Sequence, residues 1–356
     1  CVWQLKYWLN FTNCLESIRS LLGRVSLWYA ESPMFNFCTL FDSAYLSRGL
    51  AMYESLCRHC QEFHLYVFAF NDACYTTLRS LRLNKMTVIS LSEFEDDELL
   101  RVKPVRTRGE YCWTCTSSTI LYVLDRFNVE SCTYLDSDLY FFSSPQSLFD
   151  EMGDDAVMIT PHNYTPQYDQ SIRTGIYCVQ FVAFKNNEQG RDVLNWWRKA
   201  CIDWCYNRFE NNRFGDQKYL DDWPRRFDGV HVCRNLGAGI APWNMQRFSF
   251  QEDRGYIVAT EKEIGTSFEV VFFHFHSLTF VTPSYFSPRP YYRRSKSAIQ
   301  LMFNPYVKKI EEIRNKYPEV AASERYLSGF DRAKYFLELF ARRGWSEISS
   351  IRALHQ

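Results

Sequence analysis

The chain has 356 residues, which is enough to bury a full core as one large domain with additions or as two smaller domains, and we favour the first. Lys plus Arg and Asp plus Glu are balanced at 41 each, so no overall charge points to a nucleic-acid partner. No run reaches the roughly 18 apolar residues of a membrane span and no secretory signal pattern is seen, so we expect a cytoplasmic protein.

The cysteines do not suggest a disulfide framework. There are 13 of them, an odd number in a long chain, and we expect them to be reduced. Cys57/Cys60 and Cys112/Cys115 have the spacing of zinc ligands, but the two pairs lie much further apart than the roughly 15–20 residues of a compact zinc site. A structural zinc is therefore the less favoured alternative.

The first segment, residues 1–33, has the pattern of an amphipathic helix. Phe11, Leu15, Ile18 and Leu22 recur at steps of four and three residues. Such a helix can pack on the rest of the protein, or it can contact the inner face of a membrane that carries a lipid-linked acceptor. Both interpretations stay open.

From Phe35 onward, strands alternate with helices. The predicted elements are a strand at Phe35–Leu40, a helix at Ser47–Cys60, a strand at His64–Phe70, a helix ending at Leu83 and a strand at Met86–Leu91. Ser92 and Glu95 then match a capping box at the start of another helix. This alternation predicts an α/β fold with a mostly parallel, Rossmann-like sheet covered by helices, whose ligands bind at the carboxyl ends of the strands.

The second half continues the α/β pattern and ends in helices. The predicted elements are a helix at Tyr111–Arg126, strands at Cys132–Leu135, Ala156–Thr160, Ile176–Phe184, Gly229–Cys233 and Glu269–His274, and a helix at Gln189–Tyr206. The tail after Tyr291 reads as helices interrupted at Pro305 and Pro318. We therefore divide the chain into an N-terminal segment at 1–33, a main domain at 34–290 and a C-terminal helical extension at 291–356.

Two carboxylates, those of Asp136 and Asp138, follow directly on the strand Cys132–Leu135. They flank a single residue, so both can point toward one site beyond the end of the strand. Like charges at this distance repel each other, and a divalent cation relieves the repulsion. Because such an ion can also bind a diphosphate and stabilise it as a leaving group, the pair predicts a metal site for a nucleotide-activated substrate.

The stretch Tyr134-Leu135-Asp136-Ser137-Asp138 resembles the metal motif of GT-A sugar-nucleotide transferases, especially the glycogenin-like and bacterial lipopolysaccharide galactosyltransferase-like group. Phe41-Asp42-Ser43-Ala44-Tyr45 is similar to the part of that family where an Asp and a Tyr contact the base. The resemblance implies a GT-A fold and a nucleotide-diphospho-sugar donor. The donor-binding residues that it implies are Thr39, Asp42, Tyr45, Asp136 and Asp138.

Two later stretches follow in the order of the same family. Gly215–Leu220 resembles the Asp-Gln motif beside the donor sugar, which implies catalytic roles for Asp216 and Gln217. Phe273–Ser277 resembles the late histidine that completes the metal site, which implies His274 as a third ligand and His276 as a further candidate. The implied ion is Mn²⁺ or Mg²⁺, and an imidazole among oxygen ligands favours Mn²⁺.

The sequence also departs from the family pattern. Trp113-Thr114 stands where an Arg is usual, and Cys178-Val179-Gln180 stands where Asn-x-Gly is usual. The late motif lacks the usual Gly and Lys-Pro-Trp, so a phosphate-binding Lys cannot be assigned. A glycine-rich loop resembles the acceptor side of a broader set of sugar-nucleotide transferases, and its implied acceptor-side residues are Asn235, Gly237, Trp243 and Asn244.

Each of these assignments has a simpler structural alternative. His274 lies in an apolar strand and can be a core histidine, Tyr45 can be an ordinary aromatic residue at a helix start, and Asp216 can be a helix N-cap. The stereochemical outcome is open. In a retaining reaction, which the resemblance favours, Gln217 would lie opposite the leaving group, whereas an inverting reaction needs a carboxylate base such as Asp216, Asp221 or Asp222.

The function that we predict is transfer of a sugar from a nucleotide-diphosphate donor to a glycan or lipid-linked acceptor, as in the synthesis of cell-surface polysaccharide. Nucleic acid is not expected as a partner. We do expect peripheral membrane contact, made by the first segment and by the aromatic, basic tail at Phe330–Trp345. One alternative is a haloacid dehalogenase-type phosphatase, whose nucleophilic Asp belongs at the end of the first strand. Another is a non-catalytic sugar- or nucleotide-binding module.

Overall fold

The computed structural model describes residues 34–282, 285–288 and 292–343, so the helix predicted within residues 1–33 lies outside the described residues. The strands of the described chain are β1 Phe35–Phe41, β2 Phe63–Ala69, β3 Met86–Ser90, β4 Ser131–Leu135, β5 Leu139–Phe141, β6 Val157–Pro161, β7 Tyr177–Lys185, β8 Val230–Val232, β9 Ala238–Ile240, β10 Phe248–Asp253, β11 Tyr256–Glu261, β12 Ser267–Glu269, β13 Phe272–His274, β14 Leu278–Thr282 and β15 Tyr285–Pro288.

The α-helices follow the predicted alternation. They are α1 Leu46–His59, α2 Asp72–Leu81, α3 Leu91–Phe94, α4 Asp97–Val102, α5 Arg108–Phe127, α6 Gln146–Met152, α7 Ser171–Thr174, α8 Glu188–Asp203, α9 Trp223–Arg226, α10 Lys296–Ala298, α11 Asn304–Lys316, α12 Pro318–Ser323 and α13 Gly329–Arg343. Short 3₁₀ turns lie at Ser43–Tyr45 and Gln217–Asp222, and a π-helical turn at Ile299–Phe303 joins α10 to α11.

The main sheet of the described chain has seven strands in the order β3-β2-β1-β4-β7-β6-β8. The first four of these strands are parallel, β7 runs antiparallel to both of its neighbours, and β8 is parallel to β6. The predicted fold class, a mostly parallel α/β sheet flanked by helices, is therefore confirmed.

Apolar side chains cover both faces of this sheet. Adjacent residues of β1 point to opposite faces, as the two-residue repeat of a strand requires, so Phe37 packs with α1 and Cys38 packs toward α5. Because parallel strands are buried on both sides, β1 and β2 read as nearly continuous apolar runs. The central strands are thereby fixed, and the residues at their carboxyl ends have defined positions.

A small sheet brings a late part of the chain beside the end of β4. Among the described strands its order is β5-β13-β9, with β13 antiparallel to β5 and parallel to β9. His274 of β13 lies opposite Leu139 of β5 in this register. The sequence patterns did not predict β5 or β9, which are only three residues long.

Three local predictions were wrong. Ser92 and Glu95 form no capping box, because Ser90 and Asp96 cap α3 and α4 instead by accepting from the N–H groups of Glu93 and Leu99. The strand predicted at Glu269–His274 is divided into β12 and β13, which belong to different sheets. The tail is not interrupted at Pro305, because the π-helical turn before it accommodates a residue that lacks an N–H.

The C-terminal helices pack against the main domain. Tyr306, Ile310 and Val320 are buried in the same apolar cluster as Leu50 of α1. The boundary at residues 290/291 stays a prediction. In the part of the chain that the structure describes, no helix combines the length and the apolar character needed to cross a bilayer, and peripheral membrane contact stays a prediction as well.

Candidate metal and donor site

The backbone after β4 turns so that two carboxylates lie at the centre of the sheet edge. The N–H of Asp136 donates to the carbonyl of Gln180 at 3.0 Å, and the N–H of Leu139 donates to the carbonyl of Asp136 at 3.2 Å. The N–H of Phe275 donates to the carbonyl of Asp138 at 2.9 Å. These bonds fix the turn between β4 and β5 and attach it to the end of β13.

Asp136, Asp138 and His274 form a cluster at this turn. Nε2 of His274 lies 3.0 Å from Oδ1 of Asp138 and 3.6 Å from Oδ2 of Asp136. One candidate ligand atom from each of the three residues lies within 4.8 Å of the other two. The His274 residue is 4% exposed, whereas 31% of the Asp136 side chain is exposed, so the cluster is buried on one side and open to solvent on the other.

Gln180 determines which nitrogen of His274 faces the carboxylates. Its Oε1 lies 2.8 Å from Nδ1 of His274, and because an amide oxygen can only accept, Nδ1 carries the hydrogen. In the neutral ring, the lone pair of Nε2 then points toward Asp136 and Asp138. Gln180 thus has the position and the chemistry of an outer partner that orients a metal-ligating histidine.

The three charges of the cluster influence one another. Burial favours neutral forms, yet the carboxylates beside His274 raise its pKa well above the usual value. Burial and the charge of Asp138 raise the pKa of Asp136, whereas the imidazolium of His274 overcomes burial and lowers the pKa of Asp138. A positive charge is therefore needed here to keep both acids ionised.

The residues present fit a divalent cation. Two carboxylate oxygens and one imidazole nitrogen can reach a single point, and the opening at Asp136 leaves room for further oxygen ligands from a substrate. Asp136, Asp138 and Nε2 of His274 would hold the ion. His276 is exposed, and its ring centroid lies 5.6 Å from that of His274, so its role as a ligand stays a prediction.

The predicted donor residues lie in β1 and in the turn that follows it. Thr39 is fully buried in β1, and its hydroxyl has no hydrogen-bond partner among the described residues. Asp42 accepts from the N–H of Ala44 at 2.8 Å and forms an ion pair with Arg108. Tyr45 is 43% exposed and has the guanidinium of Arg48 against its ring at 4.6 Å, so it keeps a surface on which a flat base could stack.

Asp216 lies close enough to the cluster to feel the charge of Asp136, and Gln217 follows it in the chain. Burial raises the pKa of Asp216 to about 7, a hydrogen bond from Thr116 opposes this shift, and the charge of Asp136 adds to it. The amide of Gln217 donates to the carbonyl of Thr174 at 2.7 Å. The alternative that Asp216 is simply a helix N-cap does not hold, because its side chain makes no capping hydrogen bond to the turn Gln217–Asp222.

An aromatic wall, defined here as His162, Tyr164 and Trp243, adjoins His274 on the predicted acceptor side. Trp243 meets His274 edge to face at 5.4 Å and His162 at 5.3 Å, and Tyr164 stacks on His162 at 4.6 Å. His162 is 3% exposed, and its Nδ1 has no hydrogen-bond partner among the described residues. Burial lowers the pKa of His162 to about 3, so this ring is neutral.

The remaining residues predicted on the acceptor side hold the backbone of residues 235–244 in place. Asn244 is buried and donates to the carbonyls of His162 and Gly239 at 2.9 Å each. Asn235 accepts from the N–H of Gly237, and a Cβ at Gly237 would lie only 2.1 Å from the carbonyl oxygen of Glu269. These contacts explain local structure, and an acceptor-side role for Asn235, Gly237, Trp243 and Asn244 stays a prediction.

Gly239 lets Gln180 reach His274. Its φ is +91°, and a Cβ there would lie 2.4 Å from Nε2 of Gln180. We predict that Gly239→Ala displaces this amide, frees the His274 ring to turn and weakens Mn²⁺ binding about 10-fold or more, measured by titration with paramagnetic resonance detection. Gly255→Ala is the matched control, because Gly255 has a similar φ of +86° and no atom near its missing Cβ. Equal Mn²⁺ affinities of the two variants would contradict the orienting role of Gln180.

Asp216 is expected to make stability depend on pH. Its pKa is about 7 in the folded protein and about 3.9 in an unfolded chain, so the folded state holds the proton more tightly. The contribution of Asp216 is full below about pH 4 and is lost as the pH rises to about 7, with an upper bound of about 4 kcal/mol. Asp216→Asn should therefore unfold at higher urea than the wild type at pH 8 and at a similar concentration at pH 4. A difference independent of pH would refute this expectation.

Similar folds occur among solved structures. The galactosyltransferase LgtC in complex with donor and acceptor sugar analogues has 14% identity, and the match covers 79% of this chain and 100% of that chain at a TM-score of 0.48. The glycosyltransferase GlyE of Streptococcus pneumoniae TIGR4 has 14% identity over 84% of this chain and 66% of that chain, with a TM-score of 0.43. Mouse xyloside xylosyltransferase 1 has 13% identity over 68% of this chain and 97% of that chain, also at 0.43.

Sequence relatives are found in Bacillus subtilis (strain 168). No family model matches the chain. The uncharacterized protein YfnF is 28% identical over 254 residues, which are 69% of this chain and 82% of YfnF. The uncharacterized protein YfnD is 31% identical over 296 residues, which are 81% of this chain and 93% of YfnD. Because this identity extends over nearly the whole relative, the chain belongs to the family of YfnD.

Proposed function

We propose that the protein is a metal-dependent glycosyltransferase of the GT-A type, which moves a sugar from a nucleotide-diphosphate donor to a glycan or lipid-linked acceptor. The observation that carries this proposal is the cluster of Asp136, Asp138 and His274 at the carboxyl end of β4. In a mostly parallel sheet this is where a ligand is expected. A divalent ion held there would bind the donor diphosphate and stabilise the charge that develops on it as it leaves.

The residues of the chain would divide the remaining tasks. Gln180 keeps Nε2 of His274 directed at the acids, and Tyr45 offers a face to the base. Asp216 has a pKa of about 7, so it can accept or release a proton near neutral pH. Gln217, whose amide is fixed by Thr174, lies next to it and would face the donor sugar in a retaining reaction.

Neither alternative is favoured. Asp136 follows β4, which lies in the middle of the sheet and is the fourth strand in chain order. A haloacid dehalogenase-type phosphatase needs its nucleophile after the first strand in chain order. A module that only binds sugar has no need for Asp216, a 5% exposed carboxyl group whose burial is costly when it ionises. A transferase uses both the acidic cluster and the buried acid.

The metal assignment predicts that a substitution which conserves side-chain volume has a large effect on activity. Asp138→Asn keeps the volume of the side chain but removes the charge and its ion pair with His274, so we expect kcat/KM for transfer to fall by about 100-fold or more. The measurement is release of nucleoside diphosphate from a panel of sugar donors. Chelation should abolish the wild-type activity, and added Mn²⁺ should restore it.

Asp203→Asn is the matched control, because Asp203 pairs with Lys199 on the surface and has no role in the proposed site. Circular dichroism and thermal unfolding establish that each variant folds. Undiminished transfer in the presence of EDTA, or by folded Asp138→Asn, would eliminate the metal mechanism.

Tyr45 is predicted to act on the affinity for the donor. Its exposed ring lies at the start of α1, and removing one base-stacking aromatic costs about 1–3 kcal/mol. Tyr45→Ala should therefore raise the Kd for a nucleoside diphosphate about 5- to 100-fold in calorimetry, whereas Tyr45→Phe keeps the ring and should bind as the wild type does. If folded Tyr45→Ala binds as tightly as the wild type, Tyr45 does not contact the base.

A further inference from the structure

Arg48 is a buried cation beside the candidate donor site. It lies in the first turn of α1 and is 7% exposed. Its Nη1 donates to the carbonyl of Ala44 at 3.2 Å, and its Nη2 donates to the carbonyl of Leu278 at 3.0 Å. The guanidinium also packs on the rings of Tyr45 at 4.6 Å and Phe280 at 3.8 Å, so its position is fixed from several sides.

The positive charge of Arg48 is not neutralised by a direct partner. Among the described residues, no carboxylate lies within 4.0 Å of its guanidinium, although its charge acts on the carboxyl groups of Asp138 and Glu324 from a greater distance. Two neutral carbonyls occupy two of its five N–H groups and leave the others for a ligand. Because a buried charge without a direct ion pair is costly, an anionic ligand would explain why an arginine is held here.

Tyr306 places an unused hydroxyl in the same region. This residue of α11 is fully buried, and its OH has no hydrogen-bond partner among the described residues. Its ring stacks on Phe275 at 3.8 Å, and the N–H of Phe275 is bonded to the carbonyl of Asp138. The charges of Arg48 and Asp138 both act on the Tyr306 hydroxyl, so the C-terminal helices reach the wall of the site.

The segment after α12 also docks against the first turn of α1 and against β14. Glu324 accepts a hydrogen bond from the hydroxyl of Ser47, and the N–H of Leu327 donates to the carbonyl of Phe280 at 3.2 Å. Arg325, which follows Glu324, is exposed and close enough to Arg108 for their charges to interact. These hydrogen bonds hold the segment after α12 against the first turn of α1, which carries Arg48.

We propose that Arg48 binds the diphosphate of the donor beside the acidic cluster, and that the C-terminal helices help to build this subsite by supplying the Tyr306 hydroxyl. The inference rests on the proposed function and names the groups that recognise the charged part of the donor. A neutral sugar would leave the charge of Arg48 unpaired, whereas a diphosphate offers several oxygens to one guanidinium. Arg48 is thus a donor-binding residue, and the C-terminal extension is part of the site.

The test is calorimetry with UDP, GDP and ADP in the presence of Mn²⁺. Loss of one charge-assisted contact should weaken binding of the preferred nucleotide to Arg48→Gln about 10- to 100-fold. The matching nucleoside, which has no phosphate, should bind both proteins equally, and Arg191→Gln, which removes an arginine paired with Asp125 on the surface, should behave as the wild type does. Unchanged nucleotide binding by folded Arg48→Gln, or equal losses for nucleotide and nucleoside, would overturn the proposal.

Two further measurements cover the remaining outcomes. Farnesyl diphosphate serves as a probe of lipid-linked diphosphates, and if Arg48→Gln weakens its binding but not that of the nucleotide, the donor assignment is wrong.

If Arg48→Gln does not fold, hydrogen exchange on the wild type decides. The nucleotide should then protect the amides of Ser43–Arg48 and of residues 318–327 about 10-fold or more, and absence of protection in both segments would refute the subsite.

The failure of this inference is distinguishable from that of the proposed function. Nucleotide binding that depends on Arg48, without sugar release from any donor, would refute the transferase and retain the subsite. Transfer that depends on Asp138, with unchanged nucleotide affinity in Arg48→Gln, would retain the transferase and refute the subsite.

Discussion

The hydrogen bond between Gln180 and His274 is the contact on which the candidate site depends. It determines that Nε2 of a buried imidazole, and not Nδ1, faces Asp136 and Asp138. The bond is possible because the first half of the antiparallel strand β7 and the end of β13 both lie at this edge of the structure, and because Gly239 has no side chain to displace the amide. Strand β9, which contains Gly239, is itself held by a hydrogen bond from Asn244 to the Gly239 carbonyl. Local rigidity and the chemistry of the candidate metal site thus have the same origin.

Sequence patterns were sufficient to predict the central sheet and to predict that the residues of the acidic cluster come together. Alternating strands and helices predicted β1 to β4, and the order of the motifs predicted that His274 would meet Asp136 and Asp138 although more than 130 residues separate them. Gln180 was noted only as a departure from a family pattern. Its role depends on a contact across 94 residues and on the pairing of three-residue strands, which are too short to carry a periodic signal.

The C-terminal helices show a different limit of sequence reasoning. Amphipathic spacing indicated that they are helices but not which surface they cover. In the structure, α11 and α12 complete the core around α1, and Tyr306 and Glu324 approach the start of that helix. A buried arginine such as Arg48 has no recognisable sequence signature either, because the carbonyls that hold it come from positions 44 and 278. Only the packed structure brings those positions together.

The distribution of charge explains why the site should bind a cation and an anion together. Asp136 and Asp138 lie on one side with His274, and Arg48 lies nearby without an ion pair among the described residues. A cation alone would neutralise the acids and remove the charges that now offset Arg48, whereas an anion alone would face both carboxylates. When both are present, each lowers the desolvation cost of the other, and by thermodynamic linkage their affinities must rise by the same factor. The proposed nucleotide donor, bound together with its metal ion, would satisfy this arrangement in a single binding event.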